Sequence, residues 1–84
     1  MSYELTYSET ALKQLRKLDM HTQQRITATL ERCRVRPYEH LKKVIGTPYF
    51  RFRVGDFRVI VRIINDELRI LVIKIGQRDK VYQG

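Results

Sequence analysis

Three arginines, Arg51, Arg53 and Arg58, stand in a stretch where apolar and basic residues alternate, Tyr49 to Ile64, reading YFRFRVGDFRVIVRII. Alternation at a period of two marks a half-buried strand, with Phe50, Phe52 and Val54 on one face and Tyr49, Arg51 and Arg53 on the other. Gly55-Asp56 supplies a two-residue turn whose leading glycine suits type II′, and a second strand runs on through Phe57, Val59, Val61 and Ile63. That loop sets Val54 opposite Phe57 and Phe52 opposite Val59, which forces Arg53 opposite Arg58 with Arg51 one step along. Like charges directly opposite on a sheet are unfavourable by up to roughly 1 kcal/mol. A guanidinium cluster with no acidic residue interleaved is a site that an anion relieves, and the polyanion expected is RNA.

Arg78, Lys80 and Tyr82 follow the last apolar run and extend this basic and phenolic set. Cleaving an RNA backbone needs little beyond such groups. The 2′-hydroxyl is already tethered beside the phosphate, so a site accelerates its attack by orienting it in line and by placing cations where the phosphorane charge develops. Arginine binds phosphate oxygens bidentately and stays protonated, which suits it to charge stabilisation and not to proton abstraction. Tyr82 could stack on a base or move a proton, the second role requiring a pKa lowered from about 10 by neighbouring cations. Spacing alone leaves two readings open, an RNA-cleaving site or an exposed basic face with a late tyrosine completing the core. His21, His40 and Cys33 show no zinc-like spacing and neighbour no candidate nucleophile, so they read as structural, and the glycines are too scattered for a phosphate loop.

The chain has 84 residues and reads as a single domain spanning 1–84, with 43% apolar residues, enough for one core. Seventeen Lys and Arg against nine Asp and Glu give a net charge of +8. That imbalance points to nucleic acid or an acidic protein as a partner, or to a chain that is merely soluble and cationic. With Cys33 as the one cysteine no internal disulfide forms, which fits a reducing compartment. No signal-like N-terminus and no apolar run near the roughly 18 residues of a membrane span is present, so a cytoplasmic protein away from membranes is expected.

Tyr3, Leu5 and Tyr7 alternate with polar residues, which predicts a short first strand. Ser8 caps a helix over Glu9 to Leu18, with Ala11, Leu12, Leu15 and Leu18 inward. Asp19 caps a second helix from about Met20 to Val35, with Ile26, Leu30 and Cys33 on its inner stripe, and Pro37 stops it. Tyr38 to Pro48 is predicted as a connector whose Leu41, Val44 and Ile45 lie against the core. After the central hairpin, Asn65-Asp66-Glu67 turns the chain into a third consecutive strand, Leu68 to Ile75, interior to the sheet and ambiguous in register, which Gly76 closes. The expected fold class is α+β, in the order β-α-α-β-β-β, a helical hairpin packed on one face of a small antiparallel sheet.

These residues resemble, over nearly the whole chain, the RelE toxins of toxin-antitoxin pairs within the RelE/ParE superfamily. The resemblance is carried by the opening strand and the Ser8-to-Leu18 helix, Gly46-Thr47-Pro48, Arg51-Phe52-Arg53, the Phe57-Arg58-Val59-Ile60-Val61 strand, and Ile75-Gly76-Gln77-Arg78 leading to Val81-Tyr82. It implies a metal-independent, cofactor-free endoribonuclease that enters the ribosomal A site, cleaves mRNA by 2′-hydroxyl attack and so inhibits translation. A cognate RelB-like antitoxin would wrap and silence it, and the complex could bind operator DNA through that antitoxin. Carried over position by position, Arg53, Arg58, Arg78 and Tyr82 form the catalytic set, with Arg51 and Lys80 binding RNA. Arg58 and Arg78 would stabilise the phosphate and leaving group, Tyr82 would stack on or orient the RNA, and Arg51 and Arg53 would hold the backbone. Well-known members carry lysine at the two hairpin positions, so the general base is left without an assignment here. The sequence stops two residues after Tyr82, short of a further helix found in some members, and a loosely held Tyr82 is expected. The same resemblance admits two alternatives, a ParE-like toxin that binds gyrase and a non-catalytic antitoxin-binding relative.

Overall fold

Both predicted helix starts are closed by the side chains expected to close them. In the computed structural model, which describes residues 2–77, Ser8 Oγ accepts the Ala11 N–H at 3.0 Å and α1 runs over Glu9–Arg16. Asp19 accepts the Thr22 N–H at 3.1 Å and the Thr22 hydroxyl at 2.6 Å, and α2 runs over Met20–Cys33. Those bonds to Thr22 hold the Asp19 carboxyl below its ordinary pKa. Pro37 lies beyond the end of α2 and itself opens a one-turn helix, α3, Pro37–His40. Proline is pre-organised for that first helical position and loses no needed N–H there.

The strands are β1 (Glu4–Tyr7), β2 (Lys42–Lys43), β3 (Phe50–Val54), β4 (Phe57–Ile64) and β5 (Arg69–Gln77). They form one sheet in the order β1-β5-β4-β3-β2. The helices pack on one face, where Ala11, Leu15, Ile26, Leu30 and Cys33 meet Phe52, Val54, Val59, Val61, Ile70, Val72 and Ile75. The α+β class and the helical layer are as predicted, but the sheet is mixed and not wholly antiparallel. β1 runs parallel to β5, with Glu4 beside Arg69 and Tyr7 beside Val72. A pair of helices separates β1 from the rest of the sheet, and such a crossover permits parallel pairing where a tight turn does not.

The segment predicted as a plain connector holds both α3 and β2. β2 pairs with the start of β3, Lys42 beside Arg51 and Lys43 beside Phe50. Gly46 adopts a left-handed φ of +79°, and Thr47 braces the loop by bonds to Val44 O and from the Tyr49 N–H. Leu41 is buried as expected, Val44 is half-buried, and Ile45 at the tip of this loop is 95% exposed, against expectation. The loop's bonds to its own backbone turn its tip away from the core.

The register of β5 is settled by a β-bulge. Val61 pairs with Val72 while Ile60 pairs with Lys74, so Ile73 is the extra residue. Ile70 and Val72 before the bulge and Ile75 after it all enter the core. β1 ends at Tyr7, and α1 then takes over the margin of β5. The Ser8 N–H donates to Val72 O at 2.8 Å, Ser8 Oγ donates to Ile73 O at 2.8 Å, and Gln14 Oε1 accepts the Ile75 N–H at 2.7 Å. Buried backbone groups without a ladder partner are thereby satisfied.

Two predictions follow from this packing. Ser8→Ala removes the α1 cap and the bond to the bulge together, and urea denaturation should show a loss of about 1–3 kcal/mol. Cys33 is fully buried, and burial pushes its thiol up from 9.0 to about 11. The unfolded chain releases this proton first, so stability present below pH 9.0 should decline as pH rises through about 11. Iodoacetamide at pH 8 should label the thiol in urea and leave the native protein unlabelled.

Candidate nucleic-acid interface

The hairpin that carries the arginines has the predicted turn and register. Gly55 has a φ of +57° and Asp56 is not left-handed, the type II′ pattern. Val54 faces Phe57, Phe52 faces Val59 and Arg53 faces Arg58. Because Phe52, Val54, Val59 and Val61 all enter the core, pleat alternation sends Arg51, Arg53, Arg58 and Arg62 to the opposite face.

On that outer face the side chains form rows across the strands. One row runs Arg53, Arg58, Gly76, and the next runs Lys42, Arg51, Ile60, Lys74. Gly76 presents no side chain beside Arg58, and Arg51 and Lys74 stand on either side of Ile60, which is buried. Arg53 is exposed, whereas Arg51 and Arg58 are half-buried and the Nε of Arg58 is shielded from solvent. Three ion pairs between described residues, Arg34 with Glu31, Arg36 with Glu39 and Arg69 with Glu67, lie elsewhere. Arg51 and Arg53 have no carboxylate partner among the described residues. Arg51, Arg53 and Arg58 thus share the outer face, and Lys42 and Lys74 stand in the adjoining row. Lys74 escaped sequence reasoning because the bulge decides its face, and Lys42 because β2 is too short to show a period.

The free margin of β3 borders two adjoining clefts. One, of ≈ 420 Å³, is lined by Thr29, His40, Lys42, Arg51, Phe52 and Arg53. The other, of ≈ 260 Å³, is lined by Arg25, Ala28, Thr29, Arg32, Arg53 and Val54. His40, read from sequence as structural, is exposed at the first of them. Arg25, Thr29 and Arg32 each precede a buried residue of α2 (Ile26, Leu30, Cys33) by one position, a rotation of about 100° that sets them at the rim of the helix–sheet interface. That offset stripe was the available signal for them. Arg78, Lys80 and Tyr82 lie outside the described residues, and β5 brings the chain to Gln77, paired with Phe57 beside Arg58. Among the described residues no cluster of His, Cys, Asp and Glu suits a metal ion, and no helix is long and apolar enough to cross a membrane.

This arrangement has known counterparts. The profile of the ParE toxin of type II toxin-antitoxin systems (parDE) matches residues 5–82. A RelE-like toxin protein of Escherichia coli is 30% identical over 83 residues, covering 95% of this chain and 87% of its own. The mRNA interferase toxin RelE of Escherichia coli K12 is 26% identical over the same shares of each chain. Among solved structures, the toxin in the intact E. coli RelBE complex superposes with a TM-score of 0.83 at 23% identity, covering 94% of this chain and 100% of its own. The archaeal RelE-RelB complex from Pyrococcus horikoshii gives 0.82 at 23%, covering 96% and 100%. Helices on one face of a mixed sheet and arginines on the other thus define a small toxin of the type II toxin-antitoxin class. Within that class, the chain belongs to the RelE family.

Arg53→Glu replaces a like-charge cross-strand pair with an opposite-charge one. Thermal melts at low ionic strength should show a gain of up to about 1 kcal/mol that shrinks as salt is added. A lowered Tm would show that Arg53 and Arg58 do not oppose each other.

Proposed function

We propose that this toxin is a ribosome-dependent endoribonuclease that cuts mRNA in the A site and so stops translation in the cytoplasm. The observation that carries this reading is the Arg53–Arg58 pair, directly opposite across the strands on the face away from the helices. Two cations on one face offer positive charge where a pentacovalent phosphate would develop negative charge. Arg51, Lys42 and Lys74 in the adjoining row would hold flanking phosphates. Arg58 and Arg78 stabilise the phosphorane and the departing 5′-oxygen, Tyr82 stacks on or orients the RNA, and Lys80 binds the backbone. Curated relatives at 26% identity are named mRNA interferases, which supports the reading. The toxins in the similar solved structures are seen with RelB antitoxins, so an antitoxin of that kind is the partner proposed to silence this chain. Operator binding by that complex would reside in the antitoxin.

The match to a profile named for ParE favours a second reading, a toxin that binds gyrase and leaves RNA intact. The fold is common to both and cannot separate them. Five-prime-end mapping of transcripts after a pulse of expression does. New ends in translated regions, lost when ribosomes are stalled before elongation, are expected, with Arg58→Ala and Arg78→Ala lowering the cleavage rate about a hundredfold or more. Tyr82→Ala should also slow it. Intact mRNA with gyrase-linked DNA breaks reverses the assignment, and unaltered cleavage by Arg78→Ala and Tyr82→Ala removes those two residues from the mechanism.

A further inference from the structure

We infer that the rim stripe of α2, Arg25, Thr29 and Arg32, forms with Arg53, His40 and Lys42 a second track for single-stranded RNA. This track leads from the outer-face arginines round the free margin of β3, and it rests on the nuclease reading only for the identity of the polyanion. The two clefts share Thr29 and Arg53, so they adjoin, and Arg53 also belongs to the outer-face row through its pairing with Arg58. Every ionisable group that lines them is basic: Arg25, Arg32, His40, Lys42, Arg51 and Arg53. Arg25 and Arg32 are exposed and make no ion pair among the described residues. They stand seven residues apart on α2, about 10.5 Å along its axis, a length comparable to two backbone steps of an extended single strand.

The lining also favours a nucleic-acid strand over a protein segment. A bound protein segment holds on through apolar anchors in desolvated pockets, and here Phe52 and Val54 are already buried in the core, leaving Ala28 as the one exposed apolar side chain. No Asn, Gln, Asp or Glu lines either cleft, and the lining is dominated by arginine and lysine, the main partners of phosphate oxygens. Contacts of this composition go chiefly to the phosphate backbone. The track would therefore raise affinity and set the path of the strand.

The test is the Arg25→Gln/Arg32→Gln double variant of the full chain, whose exposed helical positions tolerate glutamine. Circular dichroism melts confirm that it folds. The probe is a fluorescein-labelled 2′-O-methyl RNA of about 12 nucleotides, which lacks the nucleophile, so that binding is read by anisotropy apart from cleavage. Across a salt series, the slope of log K against log salt should flatten by roughly 0.7 for each arginine removed, with weaker binding at low salt. In cleavage assays KM should rise while kcat holds. An unchanged slope and affinity overturn the track even if transcript mapping confirms the nuclease. A flattened slope in a protein that produces no transcript ends keeps the track and removes the nuclease. Unchanged RNA binding together with a loosened hold on a co-expressed antitoxin assigns this face to a protein and overturns the inference.

Discussion

A two-residue turn at Gly55-Asp56 leaves β3 and β4 with one pairing, and that pairing sets Arg53 directly opposite Arg58 across the strands. The opposition costs at most about 1 kcal/mol. The same register buries Phe52, Val54, Val59 and Val61, each contributing roughly 1.5–3 kcal/mol. A slip of one residue would send the arginines into the core and the apolar residues into water. Burial outweighs repulsion severalfold, so the core holds the like charges together. The cationic face is thus a consequence of the hairpin's register.

A second device, farther from the turn, completes that face. The bulge at Ile73 turns Ile75 inward and Lys74 outward, and its backbone is held by Ser8 and Gln14 of the first helix. Ser8 also caps α1. One hydroxyl therefore connects the start of a helix to the side of the sheet on which a lysine emerges. In a small protein with a single packed core, the helix layer decides both what is buried and which charges the opposite face displays.

Solved RelE-type toxins share this scaffold at 23% identity, which shows how little of the fold depends on particular residues. Arginine at positions 51 and 53 keeps its charge at every physiological pH and binds phosphate in two places at once, but it does not give up a proton. A surface built this way favours charge stabilisation and strand positioning over proton abstraction. The basic lining that continues past β3 to α2 agrees with that emphasis.

Local chemistry was legible in the residues alone. The hairpin register follows from alternation and a glycine-led turn, the helix starts from Ser8 and Asp19, and the inner stripe of α2 from its 3.6-residue period, because each depends on neighbours within a few positions. The parallel placement of β1, the short β2 that recruits Lys42, the bulge that directs Lys74 and the exposure of Ile45 were decided by contacts between segments far apart in the chain. Position 73 shows the reason. Leu68 to Ile75 is apolar at nearly every residue, so no periodicity marks its faces, and only the fit against β4 and α1 selects which side chains enter the core. The stripe of Arg25, Thr29 and Arg32 is visible in the sequence as a polar row, but its facing β3 across a cleft is a property of the packed helix and sheet.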